Sequence, residues 1–318
     1  MKMPIYGLIP APVTPFDASG AVDFPALADH IRRVSQATRL YGVAVNGHAG
    51  EVLALSSKER SDIIAASRKA LPASQKLIAG IEASSIDGLV REGQNAKAAG
   101  ADMLLVLPVF DTRVYRHLAS KPEVVHHVFQ RLDREVGLPM IVFQYPEAAG
   151  CSYSLDAMRR IADLPNVVGV KAAVATPTRY SELHAAVSDR IAVLASGDQP
   201  SLFGMLLHNS PGALIGISVV GVQQWSDLVY EASAGSLEKA REIYFRFALP
   251  LMDAIYENQT HRSPISPFAS TKEALVQLGE LKSSWVRPPS VNVDAAKKDE
   301  IRAALVKAGL LQPTARAA

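Results

Sequence analysis

The chain predicts an α/β fold, a (β/α)8 barrel of the TIM type, and three observations carry that expectation. Short Val/Ile/Leu-rich runs recur, each followed by a longer segment of helical periodicity. The runs are continuously apolar instead of alternating, as strands of a parallel sheet buried on both faces must be. Eight such units fit in roughly 220 residues, the count that closes a barrel. No G-x-G-x-x-G follows the first run, so an open doubly wound sheet is the weaker alternative.

Strands are expected at 7–13, 42–46, 77–82, 102–107, 140–144, 167–172, 191–196 and 213–218. Helix starts support the series. Ser56 with Glu59 forms a capping box, and Thr176 followed by Pro177 puts proline at a first helical position. After the eighth strand the pattern becomes purely helical, at 225–234, 236–258, 270–278 with Gly279 as its stop, and 295–308. Arg287-Pro288-Pro289 interrupts that region. The expected organisation is a barrel over 1–223 and a helical extension over 224–318 packed on it.

Composition narrows the function classes. The 318 residues are 48% apolar and 20% charged, which suffices for a large core in an ordinary globular protein. A net charge of +2 from 33 basic and 31 acidic side chains, without a basic stripe, argues against nucleic acid as a partner. The single cysteine, Cys151, leaves no intramolecular disulfide and no Cys-cluster zinc site, and it reads as packing. No apolar leader precedes Tyr6 and no apolar run reaches the ~18 residues of a membrane span, so a cytoplasmic protein without a membrane partner is expected. His126-His127 are adjacent and point in different directions on a helix, with no Glu at metalloprotease spacing; no metal is expected.

Lys171 is the residue that points to chemistry. It lies in the apolar run Val167-Val168-Gly169-Val170-Lys171-Ala172-Ala173-Val174. A free lysine titrates near ~10.4, and burial lowers that by up to ~3–5 units, giving an amine that attacks carbonyl carbon to form a Schiff base. A lysine at a strand end that snorkels to water is the bland alternative. The barrel favours the first reading, because residues ending its strands surround one mouth and Lys171 ends the sixth. Glycines in Gly47-His48-Ala49-Gly50-Glu51, after the second strand, let backbone N–H groups face an anion such as a carboxylate. An ordinary βα turn with Glu51 as a surface carboxylate is the competing reading.

With these pieces the chain resembles the dihydrodipicolinate synthase and N-acetylneuraminate lyase family of pyruvate-dependent lyases, over nearly its whole length. The matching segments are Gly7-Leu8-Ile9-Pro10-Ala11-Pro12-Val13-Thr14-Pro15-Phe16, Gly47 to Glu51, Pro146 and Gly150, Gly169-Val170-Lys171, Ser196-Gly197-Asp198, and Val286-Arg287-Pro288-Pro289. The resemblance implies an imine between Lys171 and pyruvate or a pyruvate-derived 2-oxo acid, with no separate cofactor. It also implies carboxylate binding by the Gly47, Ala49, Gly50 and Glu51 loop, and a homotetramer or dimer. Phe110, Phe143, Gly197, Asp198 and Ile217 are the further substrate-binding candidates around the mouth.

The chain departs from the family at several places. Phe143 stands where the family has its catalytic tyrosine, Phe110 where it has a second relay tyrosine, and His48 where it has the relay threonine or serine. Ala148 replaces the arginine that synthases use for a substrate carboxylate, and Gln199-Pro200 replace the acidic residues that serve sugar hydroxyls in the sialic acid lyases. Neither dihydrodipicolinate synthesis nor sialic acid cleavage is therefore expected. Tyr145, two positions beyond Phe143 on the same strand face, and His48 are the candidates to replace the lost acid/base. The extra aromatic rings suggest a less polar substrate beyond the pyruvoyl unit, although Arg113 and Arg116 after the fourth strand could receive an acidic group.

The leading expectation is a class I lyase, aldolase or dehydratase. A catalytically silent metabolite-binding barrel of the same family is the alternative. A phosphate-binding barrel would want more glycine after strands seven and eight than Gly197 and Gly221 supply.

Overall fold

The computed structural model describes residues 4–256 and 265–313. Strands and helices alternate in the order β1 (Gly7–Pro10), α1 (Phe24–Val34), β2 (Gly42–Val45), α2 (Ser57–Ala70), β3 (Lys76–Ile81), α3 (Ile86–Ala98), β4 (Met103–Val106) and α4 (Pro122–Glu135). They continue as β5 (Met140–Gln144), α5 (Leu155–Ala162), β6 (Val167–Ala172), α6 (Pro177–Val187), β7 (Ala192–Ala195), α7 (Ser201–Leu207), β8 (Gly212–Ile215) and α8 (Val222–Ser233). The C-terminal helices are α9 (Leu237–Ile243), α10 (Leu249–Tyr256), α11 (Pro267–Gln277) and α12 (Ala295–Lys307).

All strand pairs are parallel, in the order β1-β8-β7-β6-β5-β4-β3-β2. The Tyr41 N–H donating to Leu8 O at 3.0 Å, beside a Leu8–Leu40 bridge, brings β2 back to β1. The expected barrel is thus the fold. Each strand divides its side chains between two cores, because successive residues point to opposite faces. Ile9, Ala44, Ile78, Leu105, Ile141, Leu194 and Leu214 fill the barrel, while Leu8, Val43, Leu77, Leu104, Val142, Val193 and Ala213 face the helices.

On β6 the alternation is broken. Met140 pairs with Val167 but Ile141 pairs with Gly169, so β6 carries one extra residue relative to β5. Val168 lies with the interior cluster and Val170 with the outer one, although they are two apart. This β-bulge moves Lys171, paired with Phe143, onto the interior face. In an unbroken strand Lys171 would point into the helical layer.

Several expected boundaries shift. β1 stops at Pro10, where Pro12 has no N–H to continue the ladder. The helix expected from 270 begins at Pro267, with Ser266 capping Ala269 N; Ser270 and Thr271 are buried inside it. The helix expected over 236–258 is divided by a π-helical turn at Tyr244–Ala248, just before Pro250, whose ring and missing N–H disturb the regular ladder. Position 258 lies outside the described residues. α8 starts at Val222 and packs on β1 and β8 as the eighth barrel helix, so the division expected after 223 falls inside it.

Candidate active site

The loop after β2 carries the first half of the site. Asn46 and Glu51 both take left-handed backbone conformations, with φ of 55° at each, and turn the chain sharply. Gly50 N donates to Gly47 O at 3.1 Å and Glu51 N to His48 O at 2.9 Å, while Thr14 Oγ1 donates to Gly50 O at 2.8 Å. The amides of His48 and Ala49 donate to no acceptor among the described residues. Two free N–H groups in a tight loop are what a carboxylate needs.

Glu51 does not face a ligand. Its carboxylate forms a buried ion pair with Lys272 of α11 and accepts from Arg287 N at 3.3 Å. Arg287 in turn donates to Gly20 O, Ala54 O and both oxygens of Glu59, which holds the Glu59 carboxyl down at about 2. The Lys272 amine and Arg287 guanidinium also lie 4.2 and 4.5 Å from the centre of the Phe16 ring. Glu51 is therefore neither a surface carboxylate nor a group pointing into the mouth. It straps the C-terminal segment to the loop, because an unpaired carboxylate could not be buried there.

The second half of the site lies on β5 and β6. Lys171 Nζ sits 3.7 Å from the centre of the Phe143 ring, part-exposed yet enclosed by apolar neighbours. Burial lowers its pKa to about 8, and the Asp198 carboxylate partly opposes that fall. Phe143 and Tyr145 share a strand face, with ring centres 4.8 Å apart. The His48 ring lies 5.3 Å from each of them. The Tyr145 hydroxyl is hydrogen-bonded to His48 Nε2, and which group donates follows the imidazole tautomer. Burial, with the Lys171 charge adding to it, lowers His48 to about 4. Burial also pushes Tyr145 above the ordinary phenol range. Both groups are consequently neutral at pH 7.

At the ends of β7 and β8, Asp198 accepts a hydrogen bond from Ile217 N at 2.8 Å. Burial raises its pKa above the usual carboxylate value, while Ile217, Lys171, Gly216 and Tyr256 pull it back. Ile217 thus contributes its amide; its side chain is fully buried. Gly197 has φ of 105° and open space where a side chain would be. Tyr256, which ends α10, and Phe268 of α11 also reach the mouth: the Tyr256 hydroxyl lies beside Asp198 and Gly216, and Phe268 packs on the interior cluster. Sequence reasoning missed both, since neither follows a barrel strand.

Phe110 is placed elsewhere. It packs on Tyr153 in the outer core and lines a cavity between α3 and α4 with Leu89 and Val128, away from the Phe143 cluster. The loop after β4 turns it toward the helices, where its ring is covered. Arg116 pairs with Asp111. Cys151 is buried, and burial with the nearby Asp111 raises its thiol to about 11, so it carries little thiolate at neutral pH. Among the described residues no cluster of His, Cys, Asp or Glu could hold a metal ion, and no helix is long and apolar enough to cross a membrane.

The fold and this site define the class: a (β/α)8 barrel whose C-terminal mouth carries an amine of lowered pKa opposite two free amide donors. Residues 4–308 match the Dihydrodipicolinate synthetase family, and the chain belongs to that family. The 4-hydroxy-tetrahydrodipicolinate synthase of Psychrobacter sp. (strain PRwf-1) is 30% identical over 314 residues, covering 98% of this chain and 97% of its own. The enzyme of that name from Halorhodospira halophila is 32% identical over 314 residues, covering 96% and 97%. Among solved structures, dihydrodipicolinate synthase from Aquifex aeolicus superposes with a TM-score of 0.84 at 24% identity, covering 97% of this chain and all of that one. The chloride-inhibited enzyme from Acinetobacter baumannii, solved with pyruvate, gives 0.84 at 24% identity with the same coverage. At such identity these two superpositions establish the fold. Family membership supports an aldolase-type lyase activity on pyruvate.

Proposed function

We propose that the protein is a class I lyase in which Lys171 forms an imine with pyruvate or a pyruvate-derived 2-oxo acid. The observation that carries this reading is the Lys171 amine at the end of β6, turned into the barrel over the Phe143 ring, where burial lowers its pKa to about 8. About one amine in ten is then unprotonated at pH 7, against fewer than one in a thousand for a free lysine. The neutral amine attacks the C2 carbonyl carbon, the carbinolamine loses water, and the protonated imine accepts the electron pair released when a C3–C4 or C3–H bond breaks. In dehydration the enamine so formed then expels the C4 hydroxyl with the C4–O pair. The free amides of His48 and Ala49 are suited to hold the 2-oxo acid's carboxylate.

With Phe143 in place of a phenol, proton movement falls to the Tyr145–His48 pair. A neutral imidazole accepts a proton at one nitrogen while a neutral phenol gives one up, so the pair can relay a proton without holding net charge. Aldol cleavage and dehydration share these steps up to the imine and differ in the bond that breaks. The absence of a phenol at 143 and of an arginine at 148 is the reason we favour a substrate other than those of dihydrodipicolinate synthesis and sialic acid cleavage. The names of the relatives support a second reading, 4-hydroxy-tetrahydrodipicolinate synthesis. A silent metabolite-binding barrel is the third. We read the active form as a cytoplasmic homo-oligomer, to be checked by sedimentation.

The deciding experiment is incubation with pyruvate and borohydride, followed by intact-mass analysis and peptide mapping, with Lys171→Ala in parallel. A reduced adduct on Lys171, absent from the variant, is expected. No adduct with pyruvate or a panel of 2-oxo acids would leave the binding barrel. Formation of 4-hydroxy-tetrahydrodipicolinate at an efficiency above that for 2-oxo-4-hydroxy acid cleavage would establish the synthase instead.

A further inference from the structure

The C-terminal helices enter the mouth of the barrel at one polar point. Tyr256 at the end of α10 is buried, and its hydroxyl lies beside the Asp198 carboxylate, both against Gly216. Gly216, just beyond β8, permits this approach: a Cβ there would meet the hydroxyl at 2.7 Å, Ala49 Cβ at 3.3 Å and Asp198 Oδ2 at 3.7 Å. The phenol therefore lies between the ends of β7 and β8 and the carboxylate-type loop after β2. Thr271 of α11 is within hydrogen-bond reach of the same hydroxyl, and its Oγ1 also donates to Pro267 O at 2.8 Å.

Asp198 accepts from the Ile217 amide at 2.8 Å, and the Gly216 amide and the Tyr256 hydroxyl lie beside it and favour its charged form. Two of these three groups come from the barrel's own βα connection. The third comes from a helix that a bare barrel would lack. The carboxylate so held is electrostatically coupled to the Lys171 amine. Packing alone would be served by phenylalanine at 256, and burial of the extra oxygen requires a partner.

We propose that Tyr256 is a positioning residue whose hydroxyl fixes the Asp198 carboxylate at the rim facing Lys171, so that the C-terminal helices complete the active end of the barrel. The inference rests on the imine reading. Its physical content is that the nitrogen becomes a cationic iminium in the course of the reaction, and a preoriented carboxylate stabilises that charge without reorganising.

The test is the time course of adduct formation on Lys171, quenched with borohydride and read by intact mass over a range of pyruvate concentrations. Tyr256→Phe is expected to slow the saturated rate about tenfold, the loss of one hydrogen bond to a charged acceptor, with the half-saturating pyruvate concentration changed less than about twofold. Asp198→Asn is expected to slow it at least as much, and the double variant to be no slower than Asp198→Asn alone. Thr271→Val, which leaves the phenol in place, gives a smaller loss and serves if Tyr256→Phe does not fold. A Tyr256→Phe or Thr271→Val protein matching the wild-type rate, or losses that multiply in the double variant, would overturn the assignment. Wild-type protein that forms no adduct overturns the imine reading itself, and this inference with it.

Discussion

The hydroxyl of Tyr145 is hydrogen-bonded to Nε2 of His48 across the mouth of the barrel, joining the end of β5 to the loop after β2. The two side chains are 97 residues apart in sequence, and both rings pack on Phe143, over which the Lys171 amine lies at 3.7 Å. Tyr145→Phe and His48→Ala should each reduce turnover by roughly 10²–10⁴, the usual span of general acid–base catalysis, and the double variant should lose little more. Steady-state rates on any accepted 2-oxo acid check this. Turnover near wild type in both single variants would remove the pair from the mechanism.

The Lys171 amine predicts a pH profile. Its folded pKa of about 8 lies below that of free lysine, so the attacking neutral form accumulates as pH rises. Initial adduct formation at low pyruvate should climb about tenfold from pH 6 to pH 7 and level off above 8. Asp198 raises the amine's pKa, so Asp198→Asn should move the midpoint to lower pH. A midpoint near 10 in wild type would mean that the amine is solvated.

Glu51 and Lys272 give a stability prediction. Glu51→Gln leaves the Lys272 ammonium buried without its counter-ion and should cost about 3–5 kcal/mol, read as a lower midpoint in urea. Glu51→Leu combined with Lys272→Met should recover most of that loss. Destabilisation by the double change equal to the sum of the single ones would show that the pair is not the cause.

His30 predicts acid sensitivity. Both ring nitrogens are buried without a partner, and burial, with the Arg33 charge, lowers the imidazole to about 3. Its folded pKa is depressed below the ordinary 6.5, so between those values the unfolded chain binds the extra proton and stability falls with falling pH. The slope is about 1.4 kcal/mol per pH unit for a single group. His48 contributes in the same sense down to about 4. His30→Leu should flatten the loss between pH 6 and pH 4 in urea titrations, and an unchanged slope would assign the sensitivity to other groups.

A cavity of about 200 Å³ beside His48 bears on the substrate's far end. Val52, Leu53, Phe268, Pro288 and Pro289 line it, and the charged groups at its edge, Glu51 and Arg287, are already paired. A void of about 150 Å³ accommodates a benzene ring. Aryl or branched alkyl 2-oxo-4-hydroxy acids should be cleaved with higher kcat/KM than polyhydroxylated ones. The reverse order would place the tail elsewhere.

The barrel was legible because strands covered on both faces must be apolar throughout, and eight such runs between helical segments admit few architectures. Lys171 stood out for the same reason, as one ammonium in a run that otherwise excludes charge. The pairing of Phe143 and Tyr145 on one face followed from the two-residue period of a strand. Where the tertiary structure decided, the determinants lie far apart in the chain. Glu51 looked like a ligand-facing or surface carboxylate because its partners, Lys272 and Arg287, come from the far C-terminus. Phe110 was assigned to the mouth by the resemblance to the family's second relay tyrosine, but the loop there packs its ring on Tyr153.

The direction of Lys171 is the sharpest case. Sequence determined that a lysine ends the sixth strand; strict alternation from the interior residue Val168 would have sent it outward. The extra residue opposite Met140 and Ile141 turns it inward. A bulge is a property of how two strands register against each other. Hydrogen bonds between β5 and β6 set it, and no residue on β6 specifies it alone.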